Sequence, residues 1–131
     1  MTPHIEHLIQ QIGSEILEVC QCEPSAAVLY AEFADGVVSG SVFFTNHNPQ
    51  SLIYKFAGAT LSSLAYELWE QMASLPNGEP WRAMAYSIKD GKLAIKGIYE
   101  NQFNEKLEKN KRRLLAATEV LGEFPVDYAN P

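Results

Sequence analysis

The chain has 131 residues, 47% of them hydrophobic and 20% charged, with a formal net charge of −6. These are values of one globular domain with a real core, not of a disordered chain or a collagen-like fibre. The charge is unevenly spread. Residues 1–81 hold nine carboxylates against a single basic side chain, Lys55, whereas residues 82–131 hold seven carboxylates against nine Lys or Arg. Such a field attracts basic partners and repels nucleic acid and anionic lipid, so neither direct nucleic-acid binding nor membrane binding is expected.

The first segment reads as a helix. Thr2 can cap it, Pro3 suits its first turn, and Ile5, Leu8, Ile9, Ile12 and Ile16 form one stripe. Gly13 is a tolerated weak spot, and helicity fades near Cys20 before Pro24. The period then changes. Ala26 to Phe33 and Val37 to Thr45 are β-prone and flank Asp35-Gly36, a two-residue hairpin signal. Ser51 to Phe56 reads as a third strand. Thr60 is a candidate cap for a second helix whose apolar face is Leu61, Leu64, Ala65, Leu68, Met72 and Leu75. Trp69 and Tyr66 widen that face.

Pro76 to Pro80 breaks the helix. Trp81 to Lys89 and Lys92 to Tyr99 flank Asp90-Gly91 as a second hairpin, with Met84, Tyr86 and Ile88 facing inward against Leu93 and Ile95. A third helix is predicted from Asn104 to about Leu121, with a thin stripe of Phe103, Leu107, Leu114, Leu115 and Leu121. Gly122 suits its end and Pro125 prevents resumption. The predicted order is α-β-β-β-α-β-β-α. It defines a single α+β domain over residues 1–131, with a mainly antiparallel five-stranded sheet and three helices covering one face.

The chain offers little catalytic equipment. His4 and His7 lie on the first helix, and Cys20-x-Cys22 lies roughly 20 Å further along its axis. One helix cannot bring both pairs to one metal ion, so no metal or cofactor is expected. The third histidine, His47, lies in a polar loop. No nucleophile elbow, phosphate-cradling glycine loop or His-Glu-x-x-His occurs. No catalytic residue is assigned. Two thiols one residue apart make no disulfide framework, and the first residues do not resemble a secretory signal. A reduced, cytoplasmic protein is expected. The run Lys106, Lys109, Lys111, Arg112, Arg113 reads as a solvated helix face paired with Glu105 and Glu108, or as a partner for the acidic elements within the fold.

The element order and several spaced residues resemble the YezG-like family of immunity proteins. They are Gly40-Ser41-Val42-Phe43-Phe44 in the second strand, Pro80-Trp81 before the fourth and Asp90-Gly91-Lys92 into the fifth. Tyr99-Glu100 follows that strand, and Leu121-Gly122 with Pro125 closes the last helix. The last helix departs from the family, carrying Lys109-Asn110-Lys111-Arg112-Arg113 where relatives carry aromatics. The resemblance implies an antitoxin of a polymorphic or contact-dependent growth-inhibition system. Its partner would be the C-terminal domain of a cognate toxin, a basic nuclease, held by a tight non-covalent complex. An acidic inhibitor suits that partner, because it mimics the phosphate field a nuclease binds.

Candidate toxin-binding residues are therefore acidic, exposed and placed on rigid elements. They are Glu15 and Glu18 on the first helix, Glu32 and Asp35 at the first hairpin, Glu67 and Glu70 on the second helix, and Glu79 before Trp81. Tyr66 and Trp69 are candidate aromatic anchors. Two alternatives stay open: an enzyme or ligand binder with a pocket near Trp69, Trp81 and Tyr86, and an acidic adaptor or secretion chaperone.

Overall fold

Thr2 starts the chain's first helix as its sequence suggests. Its Oγ1 accepts the Ile5 N–H at 3.2 Å, and α1 runs Pro3–Cys20. Ile5, Leu8, Ile12, Ile16 and Cys20, three or four apart, are all buried. A computed structural model describes residues 2–34, 36–47, 49–76, 78 and 80–128. The other elements are β1 (Ala26–Ala34), β2 (Val37–Thr45), β3 (Leu52–Phe56), α2 (Gly58–Ala73), β4 (Ala83–Lys89), β5 (Lys92–Ile98), α3 (Lys109–Leu121) and β6 (Val126–Asp127).

The fold is α+β, with three helices and one sheet ordered β5-β4-β1-β2-β3-β6. The expected five antiparallel strands are corrected to six in a mixed sheet. Val126 and Asp127 pair parallel to Leu52 and Ile53, and Leu52 N–H donates to Pro125 O at 2.9 Å. Pro125 ends the helical path and returns the chain to the sheet edge. Asp90 (φ 54°) and Gly91 (φ 70°) make the two-residue turn that joins Lys89 to Lys92. Ala34 pairs with Val37 across the other turn, where Gly36 has φ 72°.

Helices cover both faces of the sheet, not one. Ala27, Leu29, Ala31 and Phe33 of β1, with Val42 and Phe44 of β2, pack under α1 and α2. Their alternating neighbours Ala26, Val28 and Phe43 pack on the other side with Leu52, Tyr54 and the α3 residues Ala117 and Leu121. Side chains alternate along a strand. Strands apolar at every position therefore need cover on both sides.

Several boundaries move for local reasons. Thr60 lies inside α2, which starts at Gly58 (φ 82°) with Ala57 at its cap and no side-chain capping bond. β4 begins at Ala83, two residues after Trp81. α3 begins at Lys109, not Asn104. Asn104 Oδ1 accepts the Lys106 N–H at 3.2 Å, and Arg112 Nη1 donates to the carbonyls of Asn104 and Leu107. The segment before the helix is thus a fastened turn. Met84 and Tyr86 face inward as expected, with Ile88 and Ile95 packed beside them. Leu93 does not: it is 49% exposed on the outermost strand β5.

Two glycines mark close approaches. Gly13 is more than a tolerated weak spot. Tyr86 crosses α1 there and donates from its hydroxyl to Ile9 O at 2.6 Å. Burial pushes the Tyr86 phenol up to about 12. Gly97 lies under Trp81, and a Cβ would overlap the indole. That residue is held twice: its ring Nε1 donates to Tyr99 Oη at 3.2 Å, and its backbone carbonyl accepts from Trp69 Nε1 at 2.8 Å. Gly97→Ala is therefore expected to cost about 2 kcal/mol, measured by urea unfolding. An unchanged midpoint would mean that the indole can move aside.

Candidate functional site: two faces of opposite charge

The two helical layers differ in charge. α1 and α2 carry Glu6, Glu15, Glu18, Glu67 and Glu70 and no lysine or arginine. α3 carries Lys109, Lys111, Arg112 and Arg113 against one glutamate, Glu119. The sheet lies between them, so the charge asymmetry of the sequence becomes two opposed surfaces.

On the acidic side, the apolar stripes of α1 and α2 face the sheet and their glutamates face out. Tyr66, Glu67 and Glu70 line one shallow groove with Gly36, Val38 and Ser63. Tyr66 Oη accepts the Gly36 N–H at 3.0 Å, tying the β1–β2 turn to the helix. Tyr66 packs on Trp69 with ring centres 5.3 Å apart. Trp69 in turn stacks on Phe33 at 5.3 Å and 2°. Trp69 is half-buried against the core, while Glu67 and Glu70 are exposed. His4 Nε2 comes within 4.0 Å of Glu67. Glu15 is half-buried and Glu18 exposed on the same layer. They lie about 16 Å or more along α1 from His4, so they form a separate group. Asp35 and Glu79 lie outside the described residues.

Glu32 is not the exposed turn residue expected. It faces the opposite layer and its side chain is only 12% exposed. Arg112 clamps it through Nε at 2.7 Å and Nη2 at 3.0 Å, and Tyr30 Oη donates to it at 2.8 Å. Burial pushes its carboxyl up, but the bonds from Arg112 and Tyr30 outweigh this and hold it below the usual range. Burial, then the adjacent Glu32, pushes the Tyr30 phenol up.

The basic run is likewise not a self-paired helix face. Arg112 reaches across to the acidic strand β1, the intramolecular pairing that the charge split allowed. Glu105 meets Arg82 at 2.8 Å, not Lys109, and Arg82 also holds Glu100 at 2.6 Å. The Phe103 ring lies between two guanidiniums, with Arg82 Cζ at 4.3 Å and Arg112 Cζ at 4.6 Å from its centre. This clasp fixes the segment before α3 to the sheet. Sequence reasoning missed Tyr30 and Phe103 as members of this surface. Strand alternation from Val28 would have placed Tyr30 and Glu32 on one side.

The groove beside Trp69 and Trp81 is lined also by Arg82 and Glu100, which pair with each other. Tyr86 is 1% exposed and its hydroxyl is committed to α1, so it does not line that groove. Cys20 is buried, which pushes its thiol up to about 12, while Cys22 is exposed; both are free. Among the described residues no cluster of His, Cys, Asp and Glu suits a metal ion, and no helix is long and apolar enough to cross a membrane. No protein-family model matches this chain, and no curated protein matches it at a significant level.

Proposed function

We propose that the protein is a YezG-like immunity protein, which neutralises a basic toxin domain, a nuclease, by docking its α1/α2 layer onto that domain in the cytoplasm. The observation that carries this reading is the segregation of charge. Five glutamates and no lysine or arginine occupy the two helices of one layer, while α3 behind the sheet carries Lys109, Lys111, Arg112 and Arg113. A nuclease cleft is basic because its substrate is polyanionic. An acidic, rigid helical surface is steered to such a cleft and captures it quickly. Glu67 and Glu70 supply the charge at the centre of that surface, and Tyr66 and Trp69 supply its aromatic flank. Glu15 and Glu18 extend the field along α1.

The test is co-expression. The C-terminal domain encoded next to this chain should kill cells when expressed alone and be tolerated when this chain is present. The two purified proteins should elute as one complex, and the domain's nuclease activity should disappear. Continued killing in the presence of the well-expressed protein, or catalytic turnover by this chain alone, would rule the reading out.

A further inference from the structure

Arg113 differs from the chain's other two arginines. Arg82 holds Glu100 and Glu105, and Arg112 holds Glu32. Arg113 has no carboxylate partner among the described residues. Its Nη1 donates to two neutral hydroxyls, Ser41 Oγ at 3.2 Å and Tyr54 Oη at 3.3 Å. Its Nε is buried and meets no acceptor. A half-buried guanidinium without a counter-charge opposes folding, and a buried donor left unbonded adds to the loss. Packing alone gives no reason for an arginine at this position.

Its surroundings give one. Arg113 Cζ lies 4.8 Å from the centre of the Tyr54 ring, and Tyr54 meets Phe56 edge-on at 5.8 Å. Phe56 stands opposite Ser41 in the β2–β3 register, on this same side of the sheet. It is 67% exposed. Val37, four residues before Ser41 on β2, therefore points the same way and is 59% exposed. The Phe56 end of β3 is left uncovered, while the segment before α3 shares a pocket with Val37 through Phe103 and Glu105. Lys109 and Lys111 are exposed, and Lys109 acts on Glu32 through its charge.

We propose that this open end of the α3 side binds an acidic polypeptide segment. One carboxylate sits on Arg113, and a neighbouring apolar side chain lies against Phe56. A charge-assisted pair gives the guanidinium a counter-charge, and the apolar contact supplies the anchor. Other occupants fit less well. A single-stranded nucleic acid needs successive stacking platforms. Here Tyr54 is 4% exposed, and the two exposed rings that flank it, Phe56 and Tyr128, are turned 67° and 53° out of its plane, so the three form no continuous stack. A second copy carries its acidic helices on the far side of its own sheet, so pairing would run head to tail into rings or filaments, not into a two-fold dimer. The proposal concerns the face opposite the toxin-binding layer and does not depend on the toxin reading.

The test uses the full chain, labelled with nitrogen-15. Three probes are titrated: a soluble peptide containing Asp-Phe-Glu-Leu-Glu, its Asn/Gln counterpart, and an oligothymidylate. The acidic peptide should shift the amides of Val37–Ser41 and Phe56. Its affinity should fall at least about tenfold for the neutral peptide, for Arg113→Gln and for Phe56→Ser, and stay unchanged for Glu67→Gln. Arg113→Gln should also keep or raise the melting temperature, whereas Arg112→Gln should lower it. The proposal is overturned by absence of binding at millimolar peptide, by equal binding of the neutral peptide, or by competition from the oligothymidylate. Self-association that Arg113→Gln abolishes, or a loss of stability matching that of Arg112→Gln, overturns it as well.

Discussion

Glu32→Ala is expected to destabilise the fold by about 3 kcal/mol, the low end of the range for breaking a buried ion pair. The side chains of Glu32 and Arg112 are 12% and 16% exposed, so water screens them little. Removing the carboxylate leaves the Arg112 guanidinium without its bidentate partner and the Tyr30 hydroxyl without its acceptor. Arg112 also donates to the carbonyls of Asn104 and Leu107 and covers one side of the Phe103 ring. Its displacement therefore loosens the whole segment ahead of α3. A joint replacement, Glu32→Leu with Arg112→Met, should lose much less, because neither charge is then stranded. Equal losses for the single and joint variants, in urea unfolding at neutral pH, would show that the pair itself is not what holds this face.

The same pair sets an acid limit. The folded-state carboxyl of Glu32 titrates below its unfolded value. Its contribution is complete above the ordinary glutamate range and is lost as pH falls through the depressed folded value. Glu32→Gln should therefore unfold with a shallower dependence on acid than the parent protein. A stability difference between the two that stays constant from neutral pH down through that window would contradict the linkage.

The parts of this fold that were legible in the sequence are the local ones. Thr2 and Pro3 with an isoleucine stripe specify α1, and Asp90-Gly91 specifies its hairpin, because those signals lie within a few residues of what they determine. The pairing of β6 with β3 was not legible. Val126 and Asp127 are too short to show a period, and their partners are remote in sequence. The second covered face was hidden for another reason. β1 is apolar at nearly every position, and a continuous apolar run does not reveal which side meets which helix. Glu32 was misplaced on the same ground, since its partner lies 80 residues away. Glu67 and Glu70 are exposed and beside Tyr66 as expected, because a helix flank follows directly from its stripe.

Reversing the charge of that flank is the functional change with the largest expected effect. Glu67→Lys with Glu70→Lys replaces two exposed carboxylates on a layer that has no cation of its own in either helix. Capture of a basic toxin domain should slow by about 100-fold at low salt, since steering depends on the local field at encounter. The parent complex should form more slowly as salt rises, with screening taking hold over about 10 Å at 0.1 M. The variant should lose most of that dependence. The matching reversal behind the sheet, Lys109→Glu with Lys111→Glu, should leave the rate unchanged or raise it slightly, because it removes positive charge without touching the docking layer. Stopped-flow association across a salt series separates the two. If the lysine reversal speeds capture by as large a factor as the glutamate reversal slows it, net charge alone governs the encounter and the α1/α2 layer has no special part. If only the lysine reversal changes the rate, by raising it, the toxin docks on the α3 side, and the assignment of faces is inverted.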